Sequence, residues 1–265
     1  MIIIGEKINS SVKTVKEAIE NKNYDFLIDL AKKQEASGAN YIDINSGVFI
    51  ENEAEVMKTL IELIQDSVSV PLSLDSSNPD VIVEAVKVYN KSTALYNSII
   101  FDKYVLDKAI PVIKEYNMSV IALLMENNQI PEDSSERIEI AKRLVEYLNK
   151  NGIDNSRIFL DPMVQPLSID QRYINVSLET IKLIKQTFSD INIICGLSNV
   201  SYGLPNRKWI NRSFVSLAIY FGLNSAILDP LDKTLLNLIY ASEALNGTDE
   251  YCMEYILKAR EGSLD

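Results

Sequence analysis

Carboxylate and carboxamide side chains stand directly after several runs of branched apolar residues. Asp75 follows residues 70–74, Asn97 follows 93–96, Asp161 follows 157–160, and Ser198 and Asn199 come just beyond 191–195. Glu6, Lys7 and Asn9 follow the first run, at 2–5, while Asp43 lies within the run at 41–44 and Asn45 directly after it. Brought together, this set is rich in carboxylates and amides and poor in cations. It suits a neutral heterocycle with a mixed donor and acceptor edge. A carboxylate accepts two N–H groups from an aminopyrimidine-like edge, and an asparagine donates to a ring carbonyl while accepting from a ring N–H. A phosphate-rich ligand calls for a glycine nest or an arginine cluster instead.

Each residue also has a plainer use. Asp75-Ser76-Ser77-Asn78-Pro79 reads as a turn and helix cap, Asp161-Pro162 is common turn chemistry, and Asn97-Ser98 can cap the segment after it. Cys195 reads as a small core hydrophobe. Glu126-Asn127-Asn128 reads as solvated loop. The weight comes from coincidence: several such residues fall at successive run ends.

The composition removes whole classes of chemistry. The chain has no histidine, which excludes Ser-His-Asp and Cys-His catalysis and His-ligated zinc. Its two cysteines, Cys195 and Cys252, make no disulfide framework and fit a reducing cytoplasm. A formal net charge of −11 without a long basic run argues against a nucleic-acid partner. The apolar start Met1-Ile2-Ile3-Ile4 meets Gly5-Glu6-Lys7 too early for a signal peptide, and no apolar run approaches the ~20 residues of a membrane span. No metal site is expected. Catalysis must run on carboxylates, amides, hydroxyls, Lys, Arg or a borrowed cofactor.

The elements that must position these residues alternate along the chain. The strand-like runs are 2–5, 41–44, 70–74, 93–96, 119–124, 157–160, 191–195 and 225–228. Helical spacing appears over 24–37, 53–66, from Pro79, over 103–115, 134–149, 178–188, 211–221, 234–244 and 251–258. Asn78 and Ser134 read as N-caps, with Pro79 at the first helical position and Arg137 in the first turn of its helix. Eight strands alternating with helices over 265 residues predict a single (β/α)8 TIM barrel, a fold of ~250 residues, with residues 1–265 as one domain. An open doubly wound sheet fits less well, because no glycine-rich dinucleotide turn is present. In a barrel the strand ends share one rim, so the polar side chains converge on one cup.

Five segments then carry a family resemblance. Gly5-Glu6-Lys7-Ile8-Asn9, Leu74-Asp75-Ser76-Ser77-Asn78, Asn97-Ser98, Asp161-Pro162 and Gly196-Leu197-Ser198-Asn199-Val200-Ser201 occur in the order and spacing of pterin-binding methyltransferases. The chain most resembles the methyltetrahydrofolate:corrinoid protein methyltransferases of anaerobes. The folate domain of cobalamin-dependent methionine synthase is a cousin, and dihydropteroate synthase a more distant relative. The resemblance covers nearly the whole chain, and the Gly-Leu-Ser-Asn-Val-Ser segment is its most specific piece.

The resemblance implies a barrel that binds methyltetrahydrofolate at its C-terminal rim. Asp75, Asn97 and Asp161 would hold the pterin edge. Ser198, Asn199 and Arg207 would lie on the folate-contacting loop, with Asn199 as the catalytic residue beside N5. The corrinoid (cobalamin) would be carried by a partner protein, and the enzyme would be a homodimer. Because an amide has no proton of its own to give, Asn199 would work with water or a nearby carboxylate, Asp43 and Asp75 being neighbours to consider.

The sequence also departs from its relatives. Tyr202 stands where some carry glutamine, and Tyr-Gly-Leu-Pro-Asn-Arg is similar to the methionine synthase folate module. The Lys and Arg-x-His signature of dihydropteroate synthase is incomplete without histidine, as is the Asp-x-His-x-x-Gly corrinoid motif. No three-cysteine homocysteine site exists. Two other functions stay in view: a dihydropteroate synthase-like condensation, and a non-catalytic folate-binding subunit.

Overall fold

A computed structural model describes residues 1–264. Eight parallel strands close into a barrel in sequence order: β1 (Ile2–Asn9), β2 (Tyr41–Asn45), β3 (Leu72–Asp75), β4 (Leu95–Phe101), β5 (Ser119–Glu126), β6 (Ile158–Asp161), β7 (Asn192–Gly196) and β8 (Ser225–Leu228). Around them lie α1 (Lys13–Glu20), α2 (Tyr24–Ala36), α3 (Glu53–Gln65), α4 (Pro79–Ala85), α5 (Lys103–Glu115), α6 (Ser134–Lys150), α7 (Arg172–Thr187), α8 (Arg207–Phe221) and α9 (Lys233–Asn246), with α10 (Met253–Arg260) following. The (β/α)8 expectation holds. Among the described residues no helix is long and apolar enough to cross a membrane.

The core has two parts, as strand alternation requires. The larger apolar cluster lies between strands and helices, where α6 contributes Ile138, Ala141, Leu144 and Leu148. The smaller is Ile4, Leu95, Ile121, Phe159 and Ile194, one residue from each of five strands, and it plugs the barrel interior. Two residues further along the same strands, on the same face, come Glu6, Asn97, Leu123, Asp161 and Gly196. The apolar plug is therefore the floor of a largely polar cup.

β1 departs from regular pairing. Gly5 pairs with Ile42 and Ile8 with Ile44, so β1 carries one residue more than β2 over this stretch. Gln34 of α2 wedges the bulge, accepting from the Lys7 backbone N–H at 2.9 Å. A Cβ on Gly5 would lie 2.5 Å from Gln34 Oε1, so the close approach needs glycine. The bulge lets Glu6 and Lys7, neighbours in sequence, both find partners at the rim.

Element boundaries differ from expectation where turn chemistry acts. Asn78 caps α4 as expected, accepting from the Asp80 N–H at 3.1 Å. Asp133, not Ser134, caps α6, its carboxylate accepting from the Glu136 N–H at 2.9 Å. α7 begins at Arg172 rather than 178, after Asp170 accepts from the Arg172 N–H at 2.8 Å. α8 begins at Arg207, directly after Asn206 in the left-handed region at φ 52°. α10 begins at Met253 because Tyr251 and Cys252 are also left-handed, both at φ 55°. α1 lies outside the expected helices; Val15 and Ala18, at helical spacing, bury its inner face in the core.

Candidate active site

At the C-terminal rim, β2, β3 and β4 present two layers of polar side chains. In the lower layer, Asp43 Oδ1 accepts from Ser73 Oγ at 2.6 Å and from Asn97 Nδ2 at 3.2 Å. In the upper layer, Asn45 Nδ2 donates to Asp75 Oδ2 at 2.8 Å. Burial, and after it the charge on Asp75, pushes the Asp43 carboxyl well above the ordinary aspartate range. Burial also pushes Asp75 up to about 6, against the stabilising bond from Asn45. The two carboxyls interact, and the charge of Asp75 adds to burial in disfavouring ionisation of the deeper Asp43.

Across the cup, Asp161 ends β6. Its Oδ1 accepts from the Met163 backbone N–H at 2.7 Å. Burial pushes Asp161 up to about 6, while that bond, the charge of Arg137 and the Gly196 backbone N–H pull the other way. The segment after β6 is held from behind by Arg137, a fully buried guanidinium in the first turn of α6. Arg137 donates to the carbonyls of Pro131 (3.1 Å), Pro162 (2.7 Å) and Met163 (3.0 Å), and to Gln165 Oε1 at 2.6 Å.

The third side of the cup is the loop after β7, a 3-10 turn over Leu197–Ser201. Ser198 Oγ donates to Glu6 Oε1 at 2.9 Å, tying this loop to β1. Burial raises the Glu6 carboxyl above its ordinary range, and the bond from Ser198 offsets part of that. Next to Glu6, Lys7 Nζ makes an ion pair with Asp229 Oδ2 at 2.8 Å, at the end of β8. Asn199 is exposed and folds over Gly196, where an added Cβ would meet Asn199 Nδ2 at 3.1 Å. Arg207 turns back on the loop, donating to the Ser198 carbonyl at 2.6 Å and to Ser201 Oγ at 3.0 Å, with its guanidinium 5.9 Å from the ring centre of Tyr202.

This is a cup of carboxyls and amides over an apolar floor. A profile of the pterin binding enzyme family matches residues 5–229. The chain is 36% identical to the methylcorrinoid:tetrahydrofolate methyltransferase of Eubacterium limosum, over 100% of this chain and 98% of that one. The chain belongs to this family of pterin-binding methyltransferases. It is also 26% identical to the methionine synthase of Mycobacterium tuberculosis over 86% of its own length, but that match spans only 20% of the larger enzyme. Among solved structures, the fold is similar to dihydropteroate synthase from Coxiella burnetii with pteroic acid (TM-score 0.69, 18% identity, 94% of each chain). It is similar as well to the Yersinia pestis synthase with a sulfonamide drug complex (TM-score 0.69, 15% identity, 93% of this chain and 94% of that one).

For a methyltransferase of this family, the structure brings most of the expected residues to one rim. Asp75 and Asn97 are cross-strand partners, and Asp161 stands on β6 beyond β5. Ser198 and Asn199 lie on the loop after β7 and Arg207 opens α8 behind it, but Ser198 and Arg207 are occupied in shaping the loop. Cys195 is fully buried, and burial pushes its thiol well above the ordinary range, as suits a core residue. Sequence reasoning gave no task to Arg137, although a signal was there. Arg137, Ala141, Leu144 and Leu148 lie on one stripe at helical spacing, which marks an arginine pointed inward. Among the described residues no cluster of His, Cys, Asp and Glu forms a metal site.

Proposed function

We propose that this protein moves a methyl group between N5 of methyltetrahydrofolate and the cobalt of a corrinoid presented by a separate protein. The observation that carries the reading is the cup itself: Asp75, Asn97 and Asp161 converge at one rim beside an exposed Asn199 amide. The full-length likeness to a methylcorrinoid:tetrahydrofolate methyltransferase supports it.

In this reading Asp75, Asn97 and Asp161 take the pterin edge, whose amino and ring N–H groups match two carboxylates and an amide. Asn199 stands at N5. The methyl carbon is attacked in line by the electron pair of cobalt(I) on the partner, the C–N bond breaks, and N5 leaves. An anionic amine is too basic to leave unaided, so a proton must reach N5 as the bond opens. Asn199 orients that transfer, and the proton comes through water from the deeper carboxyl, Asp43, whose burial favours its protonated form. A fixed donor aimed at developing charge is worth about 3 kcal/mol. The opposite direction uses the same contacts by microscopic reversibility.

The corrinoid is substrate here, and it must reach the cup face-on. Exposed apolar side chains ring the mouth in support of this: Ile50 (84% exposed) after β2, Ile169 (71%) after β6, and Tyr202 (66%) and Trp209 (67%) after β7. A homodimer in the cytoplasm completes the reading. The homodimer is supported by an apolar groove of about 500 Å³ between α7 and α8, lined by Ile174, Phe214 and Leu217. Light scattering on the purified protein tests that assembly.

The central test mixes the protein with methyltetrahydrofolate and cob(I)alamin and follows the visible spectrum. Conversion to methylcobalamin supports the proposal. Folate binding without turnover, even with the cognate corrinoid protein, overturns it in favour of a binding subunit.

A further inference from the structure

We propose that Arg137 is the positioning residue for Asp161, fixing its carboxylate toward the cup from a helix that never reaches the ligand. The inference rests on the functional reading above, in which Asp161 takes part of the pterin edge.

Met163 is the link between the two. Its N–H donates to Asp161 Oδ1 at 2.7 Å, and its carbonyl accepts from Arg137 at 3.0 Å. Met163 sits in the left-handed region at φ 63°, a conformation that a side chain with a Cβ resists and that its surroundings must impose. Arg137 imposes it by also holding Pro162 at 2.7 Å and Gln165 at 2.6 Å, one residue before Met163 and two after. With Oδ1 held by this turn, the Asp161 carboxyl is fixed at the end of β6.

The electrostatics agree. The guanidinium is fully buried, and all its hydrogen-bond partners are neutral carbonyls and an amide. A buried cation so placed needs a counter-charge. Asp161 is the leading one, ahead of Tyr173 and Asp133 among the groups facing Arg137. Reciprocally, Arg137 favours the ionised Asp161 that two ligand N–H groups require. Lysine at 137 would keep the charge and lose the planar fork that reaches several acceptors at once.

The test titrates wild type, Arg137→Lys, Arg137→Met and Asp161→Asn with methyltetrahydrofolate by calorimetry, alongside melting curves. Both Arg137 variants are expected to weaken binding by about tenfold, with KM rising more than kcat falls. In the Asp161→Asn background the same changes should cost far less, since there is no carboxylate left to position. Folded Arg137 variants that bind as tightly as wild type overturn the proposal, as does an equal loss in the Asp161→Asn background. If Arg137 variants do not fold, Gln165→Ala removes one anchor and should show a smaller loss that again vanishes with Asp161→Asn; undiminished affinity there counts against it. Wild type that fails to bind methyltetrahydrofolate, or Asp161→Asn that binds normally, brings down the functional reading. Tight Asp161-dependent binding indifferent to Arg137 and Gln165 brings down this inference alone.

Discussion

Asn45 and Asp75 are cross-strand partners at the last rung of the β2–β3 ladder, and Asn45 Nδ2 donates to Asp75 Oδ2 at 2.8 Å. Asp75 is in turn the register partner of Asn97 on β4. Three strands thus end on one polar rung, with the Asp43 carboxyl a layer beneath. The amide opposes the burial that raises Asp75, so removing it should raise the carboxyl further. Asn45→Ala is expected to move the pH midpoint of methyltetrahydrofolate binding upward. A midpoint unchanged from wild type, read by fluorescence titration across pH, would count against the coupling.

A related prediction concerns pH itself. Asp75 and Asp161 both stand at about 6 in the folded protein, against about 3.9 in an unfolded chain. A carboxyl raised on folding binds more protons folded than unfolded between those values, so unliganded stability should fall as pH rises from about 4 through about 6. Folate binding should go the other way, since ligand N–H groups need the carboxylates ionised; affinity is expected to rise through about 6. Asp161→Asn should flatten both curves. Melting temperature and dissociation constant, each measured against pH, check the two signs independently.

Asn199→Ala should slow methyl transfer by about 10²–10³-fold, the usual cost of losing one aimed donor, while folate affinity falls much less. Stopped-flow spectroscopy of the corrinoid, paired with binding titrations, separates the two effects. Transfer at the wild-type rate would remove Asn199 from the chemistry.

Much of this architecture was legible before any coordinates. Strands read as apolar runs because barrel strands are buried on both faces, and the polar residue closing each run marked the rim. Asp75, Asn97 and Asp161 were found that way. What escaped was anything set by a contact distant in sequence. The β1 bulge depends on Gln34 of α2, and nothing in Gly5-Glu6-Lys7 announces an extra residue. Arg207, expected at the folate, is turned toward Ser198 and Ser201 through hydrogen bonds that only the folded loop creates. Arg137 was legible as inward-facing from its helix stripe, but not as the support for Asp161.

Gly5→Ala tests the bulge. The new methyl would collide with Gln34 Oε1 at 2.5 Å, within a packed interior. Overpacking of this sort costs about 1–3 kcal/mol, and a lowered Tm is expected. Gln34→Ala in the same chain should recover part of the loss by making room, even though it gives up the bond to Lys7. Additive losses in the double variant would argue that Gln34 is not the obstacle.

Trp209→Ala and Ile50→Ala address the rim. Both side chains are largely exposed and neither belongs to the cup. Each should raise KM for the corrinoid protein by severalfold, because buried aromatic and aliphatic anchors dominate protein interfaces. Turnover with free cobalamin and the folate dissociation constant should stay put. Equal kinetics with the corrinoid protein would move the docking surface elsewhere.

The loop over Leu197–Arg207 is tied to itself by Arg207 and to β1 by the Ser198–Glu6 bond. Its conformational entropy is therefore surrendered during folding and not at the moment a ligand arrives. A substrate meeting this loop finds Asn199 on a rigid mount, and calorimetry of folate binding should show little unfavourable entropy from chain ordering. The catalyst would then spend no part of its encounter with a large, slowly diffusing partner waiting for a segment to close.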